Sequence, residues 1–197
     1  MNQKAQWTFV GIVVVVISGL LGAGLAMTPD LHLIAEGSDA PDFRAAELVS
    51  GDTLTLDDFD GDVVLLNIWA TWCAPCEREM PSLERLHREY RDEGLKVVAV
   101  SVDNVVGREG VLDWIRARNL TFMVAHDRSG RIERDYQTTG VPETFLIDRH
   151  GVIIRKVIGA ARWDSPNQTA PIRRALGLPA QTTGVVSDVE ITEGPDD

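Results

Sequence analysis

Cys73 and Cys76 are the only cysteines among the 197 residues, and they stand in the run Trp72-Cys73-Ala74-Pro75-Cys76. Two sulfurs three positions apart can meet at the first turn of a helix, where unpaired N–H groups and the helix dipole favour a thiolate. A thiolate is the species that attacks a disulfide, so Cys73 is the expected nucleophile. Cys76, one turn further in, is the more shielded thiol and is expected to resolve the mixed disulfide that results. Ala74 and Pro75 supply the backbone between them, and Pro75 is tolerated in a first helical turn. A structural zinc site would need four ligands, but His32, His87, His126 and His150 are scattered and offer no pair at ligand spacing. A purely structural disulfide across so short a loop would constrain little of the unfolded chain. No metal is expected, and no cofactor beyond the Cys73–Cys76 pair itself.

The start of the chain sets the compartment. Trp7 to Met27 is 21 residues without a charge, long enough to cross a bilayer core as a helix of about 20 residues. Lys4 precedes the run, and the next basic residue is Arg44. The positive-inside rule therefore puts residues 1–6 in the cytoplasm and everything after residue 27 outside it. The competing reading is a cleaved leader, with Gly24-Leu25-Ala26 as its small-residue cleavage site. The apolar run exceeds the usual core of such a leader, so an uncleaved anchor is expected. Outside the cytoplasm, two inert free thiols would be out of place. All 30 Asp and Glu residues lie after Met27. So acidic a domain is repelled by phosphate backbones, which excludes nucleic-acid binding.

The elements that must hold the cysteines can be read from hydrophobic pattern. Residues 28–41 read as a linker, broken by Pro29, Gly37, Ser38 and Pro41. Gly51-Asp52 and Asp60-Gly61-Asp62 punctuate two short segments consistent with a small hairpin or turn. Val63 to Trp69 is a near-continuous apolar run, as for a central strand buried on both faces. Glu77 to Asp92 has helical spacing and ends at Gly94. Lys96 to Val102 reads as a second buried strand, and Val111, Trp114 and Ile115 mark an amphipathic helix ending near Asn119. Leu120 to Ala125 is a third strand, followed by a short helix over 132–136. Thr144–Ile147 and Val152–Ile158 form a hairpin about Asp148-Arg149-His150-Gly151. A last helix starts at Ser165-Pro166, its first turns made irregular by Ala170-Pro171. Strands separated by helices, then a closing hairpin, imply an α/β fold with a mixed sheet over 42–176. The acidic tail, 177–197, is expected to be mobile.

A second motif, Gly140-Val141-Pro142-Glu143-Thr144, opens the strand read over Thr144–Ile147. Proline directly before an apolar strand suits a turn or a cis bond. Cis bonds make up only about 5–6% of X–Pro bonds in general, so the residues alone leave that choice open. Taken together, NIWATWCAPCEREMPSL and GVPETFLID resemble the TlpA/ResA-type branch of the thioredoxin superfamily. They are also similar to the related cytochrome c maturation reductases, where Pro-Glu-Thr after a cis-proline is typical. The likeness covers roughly residues 40–165.

The resemblance implies a thioredoxin-like α/β fold: a mixed sheet flanked by helices, an inserted helix and strand, and an N-terminal hairpin, preceded by one transmembrane helix. It implies a cis Val141–Pro142 bond facing the cysteines, with the Val141 backbone pairing with an extended substrate segment. Trp72 is expected to shield the sulfurs, and Glu143 to tune the site or touch substrate. Thioredoxins carry a buried Asp six residues before the first cysteine, whereas this chain has Asn67. Asn cannot titrate, so proton handling is expected to move to Glu79, three residues after Cys76. Glu77 fits a surface role at the helix N-terminus better. Both carboxylates oppose thiolate formation, which suits a reductant. Trp114, Tyr136 and Trp163 read as core residues.

These expectations describe a single-pass inner-membrane protein with a periplasmic domain that reduces disulfides of Cys-containing extracytoplasmic proteins, apocytochrome c among them. A membrane thiol-transporting protein would re-reduce it. The alternatives are a disulfide oxidase or isomerase, and a redox-inactive membrane-tethered chaperone or assembly module.

Overall fold

The structure, a computed structural model, describes Trp7, residues 11–20 and residues 33–181. The chain divides into two units between Leu33 and Ile34. In the first, Trp7 and residues 11–20 are helical. The rest of the expected membrane span 7–27 lies outside the described residues, and no helix among those described is long and apolar enough to cross a membrane.

The second unit opens with an antiparallel hairpin, Arg44–Glu47 (β1) and Thr53–Thr55 (β2), with Ala45 opposite Leu54. Its turn needs a left-handed residue, which Gly51 supplies at φ +83. The Glu47 carboxylate closes the turn by accepting the N–H groups of Val49 and Ser50. Val63–Trp69 (β3) leads into a helix, Ala74–Tyr90 (α1), and then Leu95–Ser101 (β4). Arg108–Ala117 (α2) and Met123–His126 (β5) follow. A short helix, Arg131–Asp135 (α3), leads to the hairpin Glu143–Ile147 (β6) and Ile153–Ile158 (β7), and Pro166–Leu176 (α4) closes the domain.

The seven strands among the described residues join one sheet in the order β2-β1-β5-β4-β3-β6-β7. β3, β4 and β5 run parallel, while β1, β6 and β7 pair antiparallel with their neighbours. The sheet is therefore mixed, as the pattern of elements predicts. α2 and β5 are the inserted helix and strand, and β5 sets the N-terminal hairpin at the far edge.

All seven residues of β3 are buried, which explains why its sequence does not alternate. One face carries Asn67 and Trp69. It meets α1, and it meets α2 where Trp114 lies 4.7 Å from Trp69, ring centre to ring centre. The other face carries Leu66 and, opposite it on β6, Phe145, whose ring packs 4.9 Å from Tyr136 just after α3. Glu84 on α1 is buried and accepts both the N–H and the hydroxyl of Thr121, which pins the helix to the approach to β5.

Three segments carry bonds that the residue pattern does not show. The 28–41 linker is taken up by the domain from Ile34. The Gly37 and Ala40 N–H groups donate to Ile153 and Gly151, and Asp39 bridges Val152 along the free edge of β7. Beyond Gly177, Leu178 donates to the Arg173 carbonyl, and Arg173 donates to that of Pro179. Residues 182–197 lie outside the described residues. Finally, α4 runs through Pro171 as one helix. Proline leaves the carbonyl four residues back without its helical donor, and Arg155 of β7 fills that place by donating to the Asn167 carbonyl at 3.0 Å.

Leu65, fully buried in the centre of β3, tests how far the sheet carries the domain. Leu65→Ala is expected to cost about 2–5 kcal/mol, measured as a lower denaturant midpoint with the slope unchanged.

Candidate active site

β3 ends at Trp69, and Ala70, Thr71 and Trp72 turn the chain into α1. Cys73 is the N-cap of that helix, and its sulfur accepts the Cys76 N–H at 3.2 Å. The sulfur thus occupies the place a capping Ser or Asp oxygen would take, with the positive end of the helix dipole behind it. Pro75 lies in the first turn, where its missing N–H leaves nothing unpaired. Cys73 and Cys76 form a disulfide with an S–S distance of 2.06 Å. Cys76 is wholly buried, and Cys73 keeps a small opening to solvent at 4% exposure.

The Val141–Pro142 peptide bond is cis. The Val141 carbonyl oxygen lies 3.4 Å from the Cys73 sulfur, across 68 residues of sequence. The Gly159 N–H donates to the Pro142 carbonyl at 2.8 Å and ties this loop to the end of β7. Trp72 is 65% exposed beside the sulfurs, so it is a surface side chain and not part of the core.

Behind the disulfide Glu79 is buried, only 2% exposed. Oε1 accepts the Asn67 amide at 2.9 Å, and Oε2 accepts the Ala161 N–H and the Trp163 indole N–H, each at 3.1 Å. Burial raises the Glu79 pKa above the ordinary glutamate value. The donors from Ala161, Asn67 and Trp163 pull against that rise without cancelling it. The same Asn67 amide donates to the Thr144 hydroxyl at 2.8 Å, linking Glu79 to the strand that follows the cis-proline.

The structure places Glu143 inside the domain. It is wholly buried, its carboxylate 2.8 Å from the Lys156 ammonium, and it accepts the Thr139 N–H at 3.0 Å. Side chains alternate along a strand, so Glu143 faces away from the Asn67–Thr144 side. It braces the loop before the cis-proline from within. Glu77 stands in solvent, paired with Arg118, as a first-turn carboxylate would. Tyr136 is core, donating its hydroxyl to the Pro41 carbonyl, and Trp114 packs between Trp69 and the Arg118 guanidinium. Trp163 is core too, but its N–H on Glu79 gives it a second role that the sequence reading missed. Thr144 was missed likewise. Neither belongs to the cysteine motif, so only the pairing of β3 with β6 and the path of the chain after β7 bring them in. Among the described residues no cluster of three or more His, Cys, Asp or Glu side chains could hold a metal.

A reactive cysteine pair at a strand–helix junction, faced by a cis-proline, sits within a stretch, residues 37–156, that matches the AhpC/TSA family. The chain belongs to that family. It is similar to the thiol-disulfide oxidoreductase ResA of Oceanobacillus iheyensis, 39% identical over 70% of this chain and 72% of the relative. It is 40% identical to the thioredoxin-like protein YneN of Bacillus subtilis, over 73% of this chain and 84% of that protein. Among solved structures it resembles a Chlorobium tepidum protein described as a thiol:disulfide interchange protein DsbE. The TM-score is 0.67 at 32% identity, over 73% of this chain and 99% of that one. The chain is accordingly a thiol-disulfide oxidoreductase of the ResA/DsbE type, with a thioredoxin-like fold.

Trp163→Phe keeps an aromatic ring in place of the indole and removes one donor to the Glu79 carboxylate. A donor to the charged form favours ionisation, so its loss is expected to raise the Glu79 pKa further, read by carboxyl-carbon NMR titration.

Proposed function

We propose that this protein is a membrane-anchored reductant of disulfides in extracytoplasmic proteins. The observation that carries the reading is the contact between the Cys73 sulfur and the Val141 carbonyl. It sets a nucleophile with an opening to solvent against a loop whose backbone can pair with an extended substrate segment. In the reduced enzyme the Cys73 thiolate attacks a substrate disulfide, breaking that S–S bond and forming a mixed disulfide, and one substrate sulfur leaves as a thiolate. Glu79 then takes the proton of Cys76, directly or through a water. The Cys76 thiolate attacks the Cys73 sulfur and expels the second substrate sulfur. The enzyme ends with the Cys73–Cys76 disulfide seen in the structure, and the substrate has gained two electrons. Trp72 covers one side of the pair, while Ala74 and Pro75 hold the two sulfurs at exchange distance.

The raised pKa of Glu79 suits this division of labour, since a base is more effective as its pKa approaches the working pH. Two nearby carboxylates, Glu77 and Glu79, keep the pair from becoming strongly acidic, which favours reduction over oxidation. The apolar run of residues 7–27 is read as the anchor, with residues 1–6 cytoplasmic and the domain periplasmic at the inner membrane. Electrons are then supplied by a membrane thiol-transporting protein, and the clients are Cys-containing periplasmic proteins such as apocytochrome c. No further cofactor enters the scheme.

Replacing the resolving thiol, Cys76→Ser, is expected to leave clients disulfide-linked to Cys73 in cells. Apocytochrome c among the captured proteins would identify the client, and capture of nothing would remove the exchange mechanism. A measured potential above about −150 mV, nearer the roughly −120 mV of a strong oxidant than the roughly −270 mV of thioredoxin, would reverse the direction. In Glu79→Gln the resolving step is expected to slow by about 10²-fold. Its rate should then lose the limb that rises with pH as Glu79 ionises, above the ordinary glutamate value of 4.5, and follow the Cys76 thiol alone, as stopped-flow kinetics across pH would show.

A further inference from the structure

Asp103, two residues beyond the end of β4, is wholly buried. Its carboxylate accepts the Thr71 N–H at 2.9 Å, the Thr71 hydroxyl at 2.6 Å and the Ser101 hydroxyl at 2.7 Å. Its own N–H donates to the Ser101 hydroxyl oxygen, and its carbonyl accepts the His126 Nε2–H at 2.7 Å. Thr71 lies within the turn that the Cys73 N–H closes by donating to the Ala70 carbonyl. A buried carboxylate from the neighbouring strand thus grips the turn that delivers the nucleophile.

We infer that Asp103 is a positioning residue for Cys73, holding the Ala70–Cys73 turn in place and, through its buried charge, opposing ionisation of the Cys73 thiol. This rests on the reading of Cys73 as the attacking thiol. Thr71 is two residues from Cys73, and consecutive Cα atoms are about 3.8 Å apart, so the charge lies on the order of 10 Å from the sulfur. The other charged or titratable groups around the turn are Glu77 with Arg118, Glu79 behind Cys76, Glu143 with Lys156 beneath the cis-proline, His126 on the Asp103 carbonyl and Arg128 on that of Asn104. Asp103 differs from them in being bonded to the turn itself. The helix N-terminus draws Cys73 toward thiolate, and Asp103 draws it back. That balance sets how readily the Cys73 thiol ionises.

The test is the pH dependence of Cys73 alkylation by iodoacetamide in reduced, full-length protein carrying Cys76→Ser. Asp103→Asn keeps the shape and removes the charge. It is expected to lower the Cys73 midpoint and enlarge the thiolate fraction about tenfold below it, the effect of one charge at roughly 10 Å and an effective dielectric of about 20. Ser101→Ala keeps the charge but removes a donor that offsets it, so the midpoint should move the other way, by about twofold in the equilibrium. Opposite shifts support the inference, because a merely loosened turn gives no such sign reversal. Unshifted midpoints, or shifts of one sign, overturn it. If Asp103→Asn does not fold, Ser101→Ala decides alone: an upward shift supports the inference and no shift overturns it. A Cys73 that titrates as expected yet exchanges with no protein disulfide removes the proposed reaction and leaves the role of Asp103 standing.

Discussion

A strand buried on both faces has to surface somewhere, and the end of β3 is where this domain does its chemistry. All seven residues of β3 are buried, with β4 on one side and β6 on the other. Such a strand is held in register along its length, because a slip of one residue would turn every side chain to the wrong face. Its last residue is therefore a fixed point. The three residues beyond it turn into α1, and Cys73 becomes the cap of the helix. Both the placement of the sulfur and its access to the helix dipole follow from a strand that has no freedom to move.

Around that fixed point the polar groups are shared between elements. The Asn67 amide, on β3, bonds Glu79 on α1 and Thr144 on β6 at once. Ala161 and Trp163, beyond β7, complete the set of donors to Glu79. A buried carboxyl without partners would be costly, and here each of its oxygens is bonded from a different part of the chain. Burial and hydrogen bonding push its pKa in opposite directions, and burial prevails. The outcome is an acid that titrates above the ordinary glutamate range, one turn of helix from the inner sulfur.

The cis-proline loop is braced in the same manner from the opposite face of the sheet. Glu143 meets Lys156 on β7, and Lys156 also donates to the Ile34 carbonyl where the chain enters the domain. Residues 34–40 run along the outer edge of β7, and the Glu36 carboxylate accepts the Lys156 N–H. That covers part of an edge otherwise open to pairing with another chain. The segment read as a linker is thus part of the fold, and its entry point is wired to the loop that faces Cys73.

The sequence by itself determined the elements and the reactive pair. The apolar run over 63–69, the helical spacing after it and the Asp148–Gly151 turn each depend on near neighbours, and local periodicity is enough to read them. Cys73, Cys76 and Pro142 were legible through motif and resemblance, but the bond between Asn67 and Glu79 was not. What only the tertiary structure decided was which polar groups meet. That Glu143 is buried depended on how β6 pairs with β3, and Trp163 became a donor to Glu79 because the chain folds back after β7. Thr71 and Asp103 lie 32 residues apart in sequence and join only when β3 and β4 align. Hydrogen bonds of this kind join groups that no local period relates, so a pattern of residue types carries no trace of them. Pro171 shows the same limit from the other side: its cost to a helix is local, but the arginine that offsets it comes from a strand.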